Sequence, residues 1–250
     1  MLEGLPQPII LAHRGASARA PENTLAAFRL AFEQGADGIE LDAKLSADGR
    51  VVVIHDDTVD RTTGSDGAVA GLTLADLQSL DPGRYFSTAF AGERIPSLEE
   101  VFQSVTGRGI INIELRNYTT PGDALVESVY GLVRHYGTEH QILFSSFLPR
   151  NLTKCARLLP RVPRGLLAAP GWKGAWARSF GFMFGNYAAL HLNAVDAASQ
   201  QVQRVHRLQR RIHVWTINQT AEIQRLASWG VDGIFTDDPQ VARLALHGDR

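Results

Sequence analysis

Nine short apolar runs punctuate the chain, at residues 9–12, 38–43, 51–55, 110–115, 142–145, 165–167, 189–192, 212–217 and 233–236. Most are separated by segments of helical period, such as 25–33, 125–135, 198–211 and 221–229. The runs are apolar throughout instead of alternating with polar residues, which suits strands of a parallel sheet buried on both faces. One connection breaks the alternation. Only Lys44-Leu-Ser-Ala-Asp-Gly-Arg50 separates the second run from the third, fewer than the roughly twelve residues a parallel crossover needs. Asp48-Gly49 is also a hairpin signal, so residues 51–56 read as the return arm of a hairpin rising from the second strand. Setting that arm aside leaves eight βα units, the number that closes a barrel. An open doubly wound sheet is the rival, but no glycine-rich phosphate fingerprint follows the first run. The expected fold is α/β, a (β/α)8 TIM barrel with a hairpin after strand 2.

A chain of 250 residues has the common length of one such barrel. Residues 58–96 interrupt the pattern and read as a small insertion, more a lid than a linker. Within it, Thr73 and Asp76 predict a capping box opening a short helix at 72–80, whereas 82–96 reads as irregular. No repeat or shift of composition marks a second domain, so 1–250 is expected to be a single catalytic barrel domain carrying that insertion. With a formal charge of −1 and a pI near 6.7, nothing in the totals points to nucleic acid or an anionic membrane. A basic run at Arg204, Arg207, Arg210 and Arg211 reads as a solvated helix face. Cys155 is the one cysteine, which excludes an internal disulfide and suits a reducing compartment. Residues 1–6 lack the basic start and apolar core of a signal peptide, and no apolar run approaches the roughly 20 residues that span a bilayer. A cytoplasmic protein without stable membrane insertion is the expectation.

The chemistry gathers where these runs end. The first run stops at His13-Arg14-Gly15, a base and a fixed positive charge where a buried strand meets water, the place α/β proteins put their chemistry. In the second run Glu40 and Asp42 are two apart and point to the same side of the sheet. Two carboxylates in a buried strand repel unless something positive lies between them, and a hard divalent cation with oxygen ligands, Mg²⁺ or Ca²⁺, answers that economically. Glu114 stands at the same kind of strand end and would be a third ligand. The plain alternative is a structural ion pair of Glu40 or Asp42 with Arg14 or Lys44. His55 closes the hairpin arm as His13 closes the first strand, and such a pair can serve as acid and base near neutrality. Arg14 is suited to grip a phosphate, and Arg116, two past Glu114, could do likewise.

His13-Arg14-Gly15 with Pro21-Glu22-Asn23-Thr24, Glu40-Leu-Asp42, His55-Asp56, Ile113-Glu114, Trp215-Thr-Ile-Asn218 and Gly230-Val-Asp-Gly-Ile-Phe-Thr-Asp-Asp-Pro239 resemble the glycerophosphodiester phosphodiesterase family, in order and over nearly the whole chain. The resemblance implies a (β/α)8 barrel with an insertion where 58–96 falls. It implies metal-dependent hydrolysis of a small glycerophosphodiester to glycerol 3-phosphate and an alcohol. Carried over, Glu40, Asp42 and Glu114 would bind one divalent cation, His13 and His55 would be the acid–base pair in either order, and Arg14 would contact the phosphate. In the family's mechanism a glycerol hydroxyl attacks phosphorus and water then opens the cyclic phosphate. The family usually has Lys where this chain has Arg116, which keeps the charge but changes the geometry. Trp215 and Phe147 read equally as pocket walls that stack on substrate and as packed core. His191 reads first as core, and Asp237-Asp238-Pro239 as helix capping and loop structure. The aromatic segment 170–184 reads as a covering helix and loop, or more sharply as an apolar wall for an acyl or bulky alcohol group. Two other functions stand beside the first: a lysophospholipase D-like headgroup phosphodiesterase, and a non-catalytic barrel that binds phosphodiesters.

Overall fold

The computed structural model describes residues 7–248; the N-terminal stretch 1–6, considered above for a signal peptide, lies outside it. Eight strands pair in parallel in chain order: β1 (Ile9–Ala12), β2 (Gly38–Leu45), β4 (Ile110–Leu115), β5 (Ile142–Ser146), β6 (Arg164–Ala168), β7 (Ala189–Asn193), β8 (Arg211–Trp215) and β9 (Gly233–Thr236). β1 pairs with both β9 and β2, which closes the barrel. The remaining strand, β3 (Val51–Val53), runs antiparallel on β2 with Ala43 opposite Val53. The short Asp48-Gly49 connection therefore makes a hairpin, as its length required.

Two apolar layers explain why the runs carry no alternation. Ile10, Ala12, Ile39, Leu41, Ile111 and Ile113 face outward against the helices. Ile9, Leu11, Ile110, Leu143 and Phe235 face inward and pack on one another across the barrel, with Trp215 above them. Successive strand residues point to opposite sides, and here both sides are buried. Higher in the barrel the inward positions turn polar: Glu40, Asn112, Ser145, His191 and His213 are all buried. His213 Nδ1 lies 3.2 Å from His191 Nε2. Burial lowers the pKa of both imidazoles, that of His213 to about 4, so the pair is neutral near pH 7. Gly165 and Gly233 face these rings, and a Cβ at Gly165 would overlap the His191 imidazole.

The insertion is more regular than its sequence suggests. Val59, Val69, Leu77 and Ile95 form a small core with Val52 and Ile54 of the hairpin. Thr73 caps the helix Leu74–Gln78 in a capping box with Asp76. The stretch expected to be irregular contains a helix, Pro82–Phe86, whose cap Asp81 accepts from Arg84 N at 2.7 Å. Proline at the first helical position is favourable because its missing N–H has no intrahelical partner there. The basic run is not one helix face. The helix Ser199–Arg207 ends before Gln209, whose φ is +55°; Arg210 stacks over Phe182 at 5.0 Å, and Arg211 opens β8. No helix of the described residues is long and apolar enough to cross a membrane.

Because the imidazole of His191 is wedged between His213 and Phe235, it cannot swing away from an added methyl at position 165. Gly165→Ala should therefore destabilise the protein by about 1–3 kcal/mol, measurable by chemical denaturation; an unchanged midpoint would contradict the packed barrel interior.

Candidate active site

The loop after β1 is held in a conformation that most residues avoid. Arg14 and Asn23 have φ of +58° and +57°, each costing about 1–2 kcal/mol for a side chain with a Cβ. Gly15, at φ +83°, lies so close to Ala27 that a Cβ would meet its backbone at 2.7 Å. Side chains and backbone amides of the loop hold it against this strain. Asn23 N donates to Arg14 O at 2.9 Å, Arg14 N donates to Glu40 Oε2 at 3.0 Å, and the Asn23 amide bridges to Asp42 at 2.8 and 3.3 Å. Thr24 caps the helix Leu25–Glu33. Pro-Glu-Asn-Thr is thus the clamp that ties the first strand end to the acids of the second.

Those acids converge. Glu40, Asp42 and Glu114 are buried and offer carboxylate oxygens that all lie within 4.8 Å of one another. Two arginines answer part of their charge. Arg14 Nε stands 3.5 Å from Asp42, and Arg116 reaches Asp42 at 3.4 Å and Glu114 at 2.6 Å. The ion pair Arg14–Asp42 therefore exists alongside the cluster, while Lys44 pairs with Asp57 instead. Asp42 is buried, but the charges of Arg116 and Arg14 outweigh burial and lower its pKa. Glu40 goes the other way: burial first, then Asp42 and Glu114, push its carboxyl well above the carboxylate range. Burial raises Glu114 as well. Three hard oxygen donors with charge still unmet fit a divalent cation, and Glu40, Asp42 and Glu114 are the residues that could hold it.

Each expected histidine has a carboxylate on Nδ1. His13 Nδ1 is 2.8 Å from Asp237 Oδ1, and His55 Nδ1 is 2.6 Å from Asp56 Oδ1. Such a partner fixes the tautomer with the proton on Nδ1, leaving Nε2 free to exchange one. Asp237 is held in turn by Asn218 Nδ2 at 2.6 Å and Ser17 at 3.1 Å. Burial works against its charge, but hydrogen bonds from His13, Asn218 and Ser17 prevail and lower its pKa. Asp56 receives a hydrogen bond from Arg61, which also grips Glu22, itself bonded to Arg14. With that support its pKa falls to about 2 despite partial burial. Burial lowers His55, with Arg116 and Arg14 adding to the effect and Asp42 opposing it.

All of this opens on a cavity of about 260 Å³ lined by His13, Arg14, Glu40, His55, Glu114, Arg116, Phe147 and Trp215, with Asn112, Ser145 and His191 among its deeper walls. Of the nine residues expected at the site, only Asp42 lies behind its lining. Phe147 and Trp215 meet edge to face at 5.9 Å; both line the cavity, and Trp215 also packs against the inner core. His191 is core and cavity wall at once. None of segment 170–184 is among the residues lining this cavity. Sequence reasoning also missed four residues. Asp56, Asp237 and Asn218 orient the histidines, and Tyr118 donates to Glu114 at 2.8 Å. One signal for Asp237 was available: Asp238 alone caps the final helix Pro239–His247, which leaves the first aspartate of that pair for another task.

The sequence profile of the "Glycerophosphoryl diester phosphodiesterase family" matches residues 13–241. A Caldanaerobacter subterraneus protein named glycerophosphodiester phosphodiesterase is 36% identical over 233 residues, 93% of this chain and 95% of its own. The chain belongs to the glycerophosphoryl diester phosphodiesterase family. A Bacillus altitudinis protein of the same name is also 36% identical, over 93% of this chain and 96% of its own. Among solved structures, an Oleispira antarctica phosphodiesterase in complex with the product sn-glycerol-3-phosphate superposes with a TM-score of 0.88 at 31% identity, covering 96% of this chain and 97% of that one. The matches span the full barrel, and the family is enzymatic.

Two measurements follow from the geometry. Mg²⁺ or Ca²⁺ should raise the melting temperature, by the equivalent of about 2.7 kcal/mol at a hundredfold excess over Kd, and Glu40→Gln should abolish the shift; equal shifts in both proteins would place the cation elsewhere. In an NMR titration, His55 should lose its proton at a pH below the ordinary value of about 6.5; a midpoint above it would mean that the carboxylates, not burial, control this ring.

Proposed function

We propose that this chain hydrolyses glycerophosphodiesters to glycerol 3-phosphate and an alcohol, with His13 and His55 as the acid–base pair and one divalent cation held by Glu40, Asp42 and Glu114. The observation that carries the reading is the pairing of two carboxylate-oriented histidines with three buried acids around a single cavity, in a chain of this family. The Oleispira relative's bound product is the same glycerol phosphate. The barrel and its insertion act as one catalytic domain in this reading, since Arg61 of the insertion links Asp56 to Glu22 beside Arg14. A cytoplasmic location accords with the single cysteine, Cys155, which leaves the chain no internal disulfide to form.

The residues divide the work as follows. Arg14 and Arg116 offer fixed charge to the phosphoryl oxygens. One imidazole takes the proton of the attacking glycerol hydroxyl at Nε2 while the other protonates the oxygen of the leaving alcohol. Water then opens the cyclic phosphate, giving its proton to the second imidazole as the first returns one to the glycerol oxygen. Asp237 and Asp56 hold the rings in the tautomer this requires and stabilise each imidazolium as it forms. When bound, the cation would offset charge on the phosphoryl oxygens. Phe147 and Trp215 wall the substrate, displacing water from the reacting groups. Arg116 spans Asp42, Glu114 and the His55 carbonyl, to which Nε donates at 3.1 Å. Lysine has one donor head instead of a fork, so the arginine suits this network better.

Release of glycerol 3-phosphate from glycerophosphocholine, followed by a coupled assay, tests the reading. His13→Ala and His55→Ala should each cost on the order of 10²–10⁴ in kcat, and Asp237→Asn should lower kcat more than it raises KM. Exhaustive EDTA treatment should abolish turnover, and Mg²⁺ or Ca²⁺ should restore it. If wild type and His13→Ala release glycerol 3-phosphate equally slowly, the barrel only binds phosphodiesters and the enzyme reading fails; if both turn over fast, His13 is not part of the acid–base pair. Lysophosphatidylcholine run in parallel addresses the lysophospholipase D alternative, which would need turnover comparable to that of glycerophosphocholine. With the aromatic segment absent from the cavity lining, the glycerophosphodiester should be the better substrate.

A further inference from the structure

The segment after β6, the fifth strand of the barrel, takes the place of the fifth outer helix and is built with two faces. Ala177, Gly181 and Phe182 are buried, with Ala177 and Phe182 packing into the outer core beside Tyr187. Trp172, Trp176, Phe180 and Phe184 recur every fourth residue on the other face, and they are 84%, 56%, 64% and 79% exposed. Phe180 and Phe184 are stacked, with centroids 6.3 Å apart and planes 7° from parallel. These rings belong to one segment, in which the Trp176 ring lies against Gly181. The segment is also poor in charge: residues 170–187 contain no acid, and of Lys173 and Arg178 the latter is paired with Asp196 at 2.8 Å.

Isolated exposed hydrophobics need no explanation, but four aromatics in one stripe do. At about 150–250 Å² per aromatic side chain, these exposures present roughly 600 Å² of apolar surface, the upper end of what a typical monomer shows. Doubled across a twofold axis, the area comes to about 1,200 Å², which reaches the size of a specific protein–protein interface. The composition also fits the centre of such an interface, where Trp and Phe are enriched and charges depleted. A twofold dimer, the commonest assembly of soluble chains, would set this patch against the same patch of a second copy. None of the four rings lines the cavity beside His13 and Trp215.

We propose that this stripe is the interface of a homodimer, with Trp172, Trp176, Phe180 and Phe184 of one copy packed against the same residues of a second. The interface holds whichever phosphodiester the enzyme cleaves, and its test does not use activity. Sedimentation equilibrium of the full chain at micromolar concentration should give twice the 27.3 kDa monomer mass. Phe180→Asp with Phe184→Asp places like charges face to face and should raise the dimer dissociation constant by roughly 100-fold or more. Trp172→Ser with Trp176→Ser, which adds no charge, should weaken it in the same direction. Leu244→Asp, an exposed residue of the terminal helix, should leave the dimer intact. Circular dichroism identical to wild type separates dissociation from misfolding. A wild-type monomer at about 100 µM, or a dimer that survives both double substitutions, overturns the proposal. So does a wild-type monomer that floats with phosphatidylcholine vesicles through these aromatics, since the stripe would then be covered by lipid.

Discussion

Negative charge buried at one end of a barrel is the constraint on which the rest of this structure depends. Glu40, Asp42 and Glu114 bring their oxygens within 4.8 Å of one another while all three side chains are buried. A carboxylate there is expensive unless compensated, and the neighbouring features read as compensation. Arg14 and Arg116 supply charge, while the Arg14 amide, the Asn23 side chain and the Tyr118 hydroxyl supply hydrogen bonds. To deliver two of these donors, the loop after β1 accepts left-handed φ at Arg14 and Asn23. The strain is thus stored beside the chemistry. What compensation remains missing shows in Glu40, whose raised pKa marks the part of the charge that a cation would answer.

The histidines follow a different rule. Their problem is orientation, and each has the same solution: a carboxylate one hydrogen bond away on Nδ1. The two carboxylates come from opposite ends of the sequence, Asp56 beside its histidine and Asp237 on the last strand end. Arg61 of the insertion, by bonding Asp56 and Glu22 together, joins the two halves of the site. The insertion therefore belongs to the electrostatic framework of the mouth. Beneath it, the neutral pair His191–His213 and the glycines opposite make the barrel interior polar without adding charge to the acids above.

A barrel of this kind divides its surfaces by task. The strand ends hold reactive groups on rigid supports, and the inward strand positions set the depth of the cavity. The flanks are free to vary, because any helix with one apolar face can cover the strands. On the fifth flank that freedom has been used to expose aromatics instead of charge.

Much of this was legible in the chain. Apolar runs without alternation required a sheet buried on both sides, and the short link at Asp48-Gly49 required a hairpin, so the count of eight closed the barrel. Residues two apart on a strand had to share a side, which put Glu40 with Asp42, and motif spacing brought in Glu114, His13 and His55. These properties are local, fixed by backbone geometry and by strand period. The sequence could not reveal partners that meet only through closure of the barrel. Asp237 reaches His13 because β9 lies against β1. The side on which an aromatic segment turns its rings is likewise decided by the strands it covers. The irregular reading of 82–96 failed for a local reason, since Asp81 and Pro82 open a helix. The sequence by itself determined the fold and the types of reactive group at each strand end. Tertiary structure alone decided how charge is compensated between them, because that depends on distances between residues far apart in the chain.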